Sequence, residues 1–286
     1  MGTIAVIGAT GTIGRRLALR LAAHGRLVRG ICRNPGEWDS GIEAVAADLT
    51  DPEQAFDALE GAEAVYLTPV LGGRDLFANE RTVAANVVDA ALKHDVMHIV
   101  MHTAVRADRG DTGARILDNK TPIEERLAES GVGYTILRPA WFLQNLWAGR
   151  DYLEQGVVSM PWSGDMVWAA TDIEDIVSAA VAFFDRGPAN RAFDIHIPGG
   201  ITGDQIAEAA TSVLGRPVAY HRAPVSSREY VAAFPLSEAH KDAYGELFDY
   251  FQATTYLGDP HPITETLTGF RPRGIEQFLR EELFSG

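Results

Sequence analysis

Three glycines spaced three residues apart, Gly8, Gly11 and Gly14 in "GATGTIG", directly follow the apolar run Ile4-Ala5-Val6-Ile7. That run reads as a buried strand. From Ile13 the period changes, with Ile13, Leu17 and Leu21 at helical spacing and Arg15, Arg16 and Arg20 between them. The glycines therefore lie where a strand turns into a helix. There Gly8 can take the tight turn, Gly11 can let backbone approach a pyrophosphate, and Gly14 can let the helix pack closely on the strand. The helix start at Thr12, Ile13 and Gly14 offers free N–H groups to an anion, and Thr10 and Thr12 add hydroxyls. A plain glycine turn is the alternative. The strand before and the helix after favour a dinucleotide site.

Other residues would choose and use that ligand. An NAD site usually places an acid at the end of the second strand, against the ribose 2′-OH. Residues 26–36 hold no Asp or Glu, and Arg33 stands there in "ICRNP". A guanidinium can pair with a 2′-phosphate, which points to NADP; a solvated surface arginine is the alternative. Asp48, in "ADLTD", could accept from the adenine amino group or cap the next helix. Trp141, Phe142, Asn145 and Trp147 follow a late strand, with Trp162 and Trp168 soon after. Trp141, Phe142, Asn145 and Trp162 are candidate substrate contacts, and aromatic core packing is the alternative, at least as strong for Trp168. His98 reads as structural, and His102 as a lesser candidate proton donor.

The elements that position these groups alternate. Strands read at 27–32, 43–47, 62–68, 98–103 and 134–138 after the first, with helices at 51–59, 78–94 and 119–130 between them. Asp51 and Pro52 suit a helix start, and Gly131 a helix end. This βαβα order predicts a parallel, doubly wound α/β sheet of Rossmann type. Ligands of such sheets bind beyond the carboxyl ends of the strands. Candidate cofactor contacts there are Gly8, Arg33, Asp48, Leu49, Thr68, Pro69, Thr103, Pro139 and Phe142. After residue 140 the rhythm breaks. A helix reads at 172–184, a strand at 192–197, and a helix at 202–215 capped by Thr202. The expected division is a nucleotide domain of residues 1–145 with about 168–198, and a smaller, mostly helical substrate region of about 146–167 with 199–286.

Composition narrows the partners. The chain has 286 residues, 46% of them hydrophobic, and a net charge of −14. No Lys/Arg cluster suits a nucleic-acid groove. The apolar runs are too short to span a bilayer. Cys32 stands alone, so intrachain disulfides and Cys-rich zinc sites are excluded, in keeping with a reducing cytoplasm. A strand beginning at residue 3 predicts no signal peptide. No HExxH, GxSxG or Walker pattern is present, which disfavours metal and hydrolase readings. The expected partner is a small molecule; the oligomeric state is not legible.

The segments "GATGTIG", "CRNP", "ADLTDP", "VYLTP", "NVVDAALKHDVMHIV" and "NKTPIEERLAESGVGYTILRPAWFLQN" together resemble the NmrA-like branch of atypical short-chain dehydrogenases. "TDIEDIVSAAVAF" and "LGRPVAYH" extend the likeness. The resemblance implies a Rossmann domain, NADPH and a C-terminal substrate region. It covers reductases of quinones, azo compounds and isoflavonoid-type substrates, and also redox-sensing regulators. Typical short-chain dehydrogenases use Ser, Tyr and Lys, with Tyr four residues before Lys. Lys120 matches the lysine and Thr103 stands near the serine, but Ile116 stands where the tyrosine would. "KTPIEERLAESGVGYT" is similar to the isoflavone reductase-like subgroup, where this lysine is the acid or base. An apolar lid and a cationic nicotinamide would lower such a lysine's pKa; ribose binding and an exposed structural lysine are the alternatives. The expected activity is NADPH-dependent hydride transfer to a flat aromatic, quinone-like or enone compound, with Lys120 and Thr103 as catalytic candidates. The alternative is a non-catalytic NADP(H) sensor.

Overall fold

The apolar run after Gly2 forms β1 (Thr3–Ile7), with Ile4 to Ile7 fully packed. The computed structural model describes residues 2–36, 38, 41–68, 75–254, 256–258, 269 and 271–284. Helix α1 (Thr12–Ala23) buries Ile13, Leu17 and Leu21, the stripe their spacing dictates. Then come β2 (Leu27–Cys32), β3 (Glu43–Ala46), α2 (Pro52–Ala58), β4 (Ala62–Leu67), α3 (Leu76–Lys93) and β5 (His98–His102). The short helix α4 (Arg115–Asp118), α5 (Thr121–Glu129) and β6 (Tyr134–Pro139) follow.

These strands and a later one, β10 (Arg191–Ile195), form a seven-stranded sheet in the order β10-β6-β5-β4-β1-β2-β3. β1 pairs in parallel with both β2 and β4, so the strand order reverses beside β1. The crevice expected at such a reversal lies between the carboxyl ends of β1 and β4. On one face of the sheet α2, α3 and α5 pack together. Val87, Val88 and Ala91 of α3 join Ile99 and Met101 of β5 in that core. α1 is tied to α7 (Ile173–Arg186) by Arg20 Nη1 donating to Ser178 Oγ at 3.0 Å.

Capping explains most helix starts. Asp51 accepts from the N–H groups of Glu53 and Gln54, with Pro52 in the first turn. Helix α3 begins two residues before the sequence pattern suggests, because Asp75 accepts from Ala78 N. α5 ends at Glu129, and Gly131 takes φ +87° just beyond it.

The chain divides into two compact units. The first comprises Met1–Asp108, Asn119–Arg138 and Ile176–Phe193; the second comprises Arg109–Asp118, Pro139–Asp175 and Asp194–Gly286. The second unit holds β7 (Trp141–Phe142), a 3-10 turn (Leu143–Gly149), α6 (Arg150–Glu154), β8 (Val157–Met160) and β9 (Ala170–Thr171). It continues with α8 (Gly203–Leu214), β11 (Ala219–Arg222), α9 (Ser227–Ala232), α10 (Glu238–Thr254) and α11 (Ile275–Phe278). It is not helical throughout, since β7 pairs with β9 and β8 with β11. Among the described residues, no helix is long and apolar enough to cross a membrane.

Candidate active site

The glycine loop turns tightly from β1 into the start of α1. Gly8 takes φ +71°, a left-handed turn that suits glycine. Gly11 N donates to Gly8 O at 2.8 Å, closing the turn. A Cβ on Gly14 would lie 2.3 Å from Gly8 O, so only glycine lets α1 start this close to β1. Gly11 is the N-cap of α1 and offers no side-chain cap, and the first turn carries no acid. Thr10, Gly11 and Thr12 are exposed, while Ile13 and Gly14 are buried beneath them. The start of α1, where a helix carries unshared N–H groups and partial positive charge, is thus open to solvent. A Cβ on Gly8 would stand 3.8 Å from Thr68 Cβ, so the ends of β1 and β4 face one another at the switch point.

The other strand ends fall along the same edge. Arg33, after β2, is exposed. Asp48, after β3, is also exposed and accepts at Oδ1 from Thr50 N (3.0 Å) and Thr50 Oγ1 (2.8 Å). These bonds, and more weakly the Arg33 charge, hold its carboxyl below the usual range. The helix-cap alternative for Asp48 falls to Asp51 instead. Leu49 is buried, and its carbonyl accepts from Asn86 Nδ2 at 3.0 Å, anchoring this loop to α3. Pro69 lies outside the described residues. Pro139 ends β6, is buried, and belongs to the second unit.

Lys120 is not an exposed lysine. It sits at the N-cap of α5, is only 7% exposed, and pairs through Nζ with Oε1 of Glu80. Glu80 is itself 0% exposed, and its Oε2 accepts from Asn119 Nδ2 at 2.6 Å. Arg81 in turn donates to Asn119 Oδ1. Sequence reading missed Glu80. Its signal was an acid in register with the buried stripe Ala84, Val87 and Ala91 of α3.

Thr103, just past β5, is buried and donates its hydroxyl hydrogen to Oε1 of Glu124. Glu124 also takes Arg138 Nε at 3.1 Å and pairs with its guanidinium. In this arrangement Thr103 has no hydroxyl hydrogen left for a substrate. His98 is structural, as expected: Nε2 lies 3.0 Å from Thr135 Oγ1, and the ring meets Phe184 edge-on. Burial pushes it down to about 4.

The aromatic candidates belong to the second unit. Trp162 is corrected from a stacking platform to a core residue. It is 1% exposed and packs against Trp168 (5.2 Å between centroids), Phe248 (5.4 Å) and Phe251 (6.3 Å), which leaves no free face. Trp168 is likewise buried in this core, as its alternative reading held. Trp141 is buried edge-on against Trp168, Phe142 is half-buried, and Asn145 is exposed. Ile116 is buried in α4. Among the described residues, no cluster of His, Cys, Asp and Glu could hold a metal ion.

The NmrA-like family model matches residues 1–279. The chain belongs to the NmrA-like family. This NmrA-like chain is 29% identical to an NAD(P)H azoreductase of Xenophilus azovorans, covering 97% of this chain and 96% of that one. Its fold is shared by NADPH-dependent quinone oxidoreductase QOR2 of Escherichia coli, solved with NADPH (TM-score 0.79, 24% identity, 96% and 97% coverage). It is equally shared by NmrA, a negative transcriptional regulator solved with NAD (TM-score 0.78, 16% identity, 99% and 95% coverage). These two structures establish the Rossmann-type fold; a reductase and a regulator both carry it.

Proposed function

We propose that this NmrA-like chain is an NADPH-dependent reductase of flat, apolar small molecules of aromatic, quinone-like or enone type. The observation that carries the proposal is the whole-length likeness to an NAD(P)H azoreductase in a chain whose glycine loop turns tightly from β1 into the start of α1. The regulator shares less of the sequence, so a non-catalytic sensor is the lesser reading.

The proposal assigns the residues these roles. Gly8, Thr10, Gly11, Thr12, Ile13 and Gly14 hold the pyrophosphate by backbone N–H and hydroxyl groups. Arg33 takes the 2′-phosphate, and Asp48 and Leu49 flank the adenine. Thr68, Pro139 and Phe142 are assigned to the nicotinamide end. Lys120 presents a paired ammonium, set in place by Glu80, to the ribose hydroxyls. This favours cofactor holding over proton transfer for Lys120, because the ammonium is already matched by a buried carboxylate. Thr103 braces the end of β5 through Glu124. Trp141, Phe142 and Asn145, in the segment after β6, serve the substrate. The first unit carries the nucleotide role and the second the substrate role.

When bound, a reduced nicotinamide supplies hydride. The chain's task is to orient that group, exclude water and stabilise the charge that appears on the substrate. The test is NADPH oxidation by the purified protein with a panel of quinones, azo dyes and enones. Steady consumption with matching product supports the proposal. NADPH binding without consumption transfers it to the sensor.

A further inference from the structure

The carboxyl edge of the sheet carries a second buried polar pair that the roles above leave unused. Tyr66, in β4, is fully buried, and its phenol oxygen lies 2.7 Å from Nδ1 of His102 at the end of β5. His102 is itself 8% exposed. We propose that Tyr66 fixes His102 as the neutral imidazole protonated on Nε2, and that this Nε2–H is the hydrogen-bond donor for the substrate's reducible oxygen or nitrogen. The second half of this statement rests on the reductase reading; the first half does not.

The tautomer follows from hydrogen-bond accounting. A buried phenol must place its hydrogen on an acceptor. The Thr68 hydroxyl bears on the phenol as a hydrogen-bond donor, lowering it against the larger rise from burial, so Thr68 does not take that hydrogen. Nδ1 of His102 is the acceptor in reach, and accepting there puts the imidazole proton on Nε2. Two effects keep the ring uncharged. Burial, and then the Lys120 ammonium, push it down to about 3. A neutral imidazole is a donor that holds its proton and stabilises charge developing opposite it.

The placement suits that task. β5 is the strand next to β4, and the end of β4 faces Gly8 across the switch point. Hydride arriving on a quinone leaves negative charge on the quinone oxygen. That oxygen accepts from Nε2–H, solvent supplies the proton that completes the hydroquinone, and His102 ends as it began. Tyr66 is the positioning residue.

Nitrogen-15 NMR of the labelled full chain at neutral pH tests the tautomer directly, with His102 assigned through His102→Gln. The expected result is a protonated Nε2 and an unprotonated Nδ1 in the wild type. Tyr66→Phe should give a mixture of tautomers, and Thr68→Val should leave Nε2 as the protonated nitrogen. A wild-type Nδ1–H tautomer or imidazolium overturns the proposal. Quinone reduction at saturating NADPH tests the donor. His102→Leu should lower kcat by about a hundred-fold or more. His102→Gln should recover part of that loss through its amide N–H, and Tyr66→Phe should lower kcat with NADPH affinity unchanged. Wild-type turnover by folded His102→Leu overturns the donor role. If the wild type reduces no compound of the panel, the reductase reading and the donor role fail together, while the tautomer result still judges Tyr66.

Discussion

Lys120 and Glu80 form an ion pair inside the first unit, with Glu80 fully buried and held on its second oxygen by Asn119. Breaking one side of a buried pair leaves an uncompensated charge. Glu80→Leu should therefore destabilise the protein by about 3–5 kcal/mol, as should Lys120→Met alone. The double substitution should cost less than the sum of the two. Urea unfolding of all four forms checks this, and strict additivity would remove the pair from the account.

The glycines divide by function. A Cβ at Gly14 meets backbone at 2.3 Å, whereas at Gly11 the nearest backbone atom is at 3.2 Å. Gly14→Ala should force α1 away from β1 and lower the melting temperature. Gly11→Val should fold but lose NADPH affinity, because the branched side chain fills the space the pyrophosphate needs. Calorimetric titration of folded Gly11→Val that returns wild-type affinity would sink the phosphate-loop assignment.

Arg33 is exposed at the end of β2, and residues 26–36 contain no acid to favour NADH. Arg33→Ala should weaken NADPH by roughly ten- to a hundred-fold through loss of charge-assisted bonds, and NADH little. Parallel titrations with both cofactors decide it. Equal weakening would mean that Arg33 does not read the 2′-phosphate.

In the second unit, burial and then the neighbouring Asp172 carboxylate push Asp175 up to about 8. Asp172 is paired with Arg273, whose backbone N–H donates to Asp175 at 3.3 Å. A carboxyl raised above its unfolded value near 4 holds its proton in the folded state while the unfolded chain releases it. The stability this group confers is therefore full below pH ~4 and is lost as pH rises towards ~8. Asp175→Asn should flatten that fall. Unfolding free energies of both forms across this range provide the check, and identical slopes would show that Asp175 does not titrate there.

Much of this protein was legible in its sequence because it is local. The strand, glycine turn and amphipathic helix of residues 3–23 dictate one another within a few residues, and the alternation to β6 dictates the sheet class. The site's polar partners were less legible because sheet and helix packing bring them together. Lys120 and Glu80 are 40 residues apart, and Tyr66 and His102 are 36. Lysine at 120 was visible by resemblance, but its burial was not, and an acid on the apolar stripe of α3 was the one hint. Trp162 shows the opposite limit. An aromatic run reads alike as a stacking surface or a core, and only its ring contacts assign it to the core.

The central claim is that this chain turns over NADPH against a flat, apolar acceptor. The most direct measurement is anaerobic reaction of the purified protein with NADPH and a quinone, counting both cofactor and product. The account expects sustained turnover with one hydroquinone formed per NADPH consumed. Tight NADPH binding with no consumption, repeated across quinones, azo compounds and enones, would contradict it.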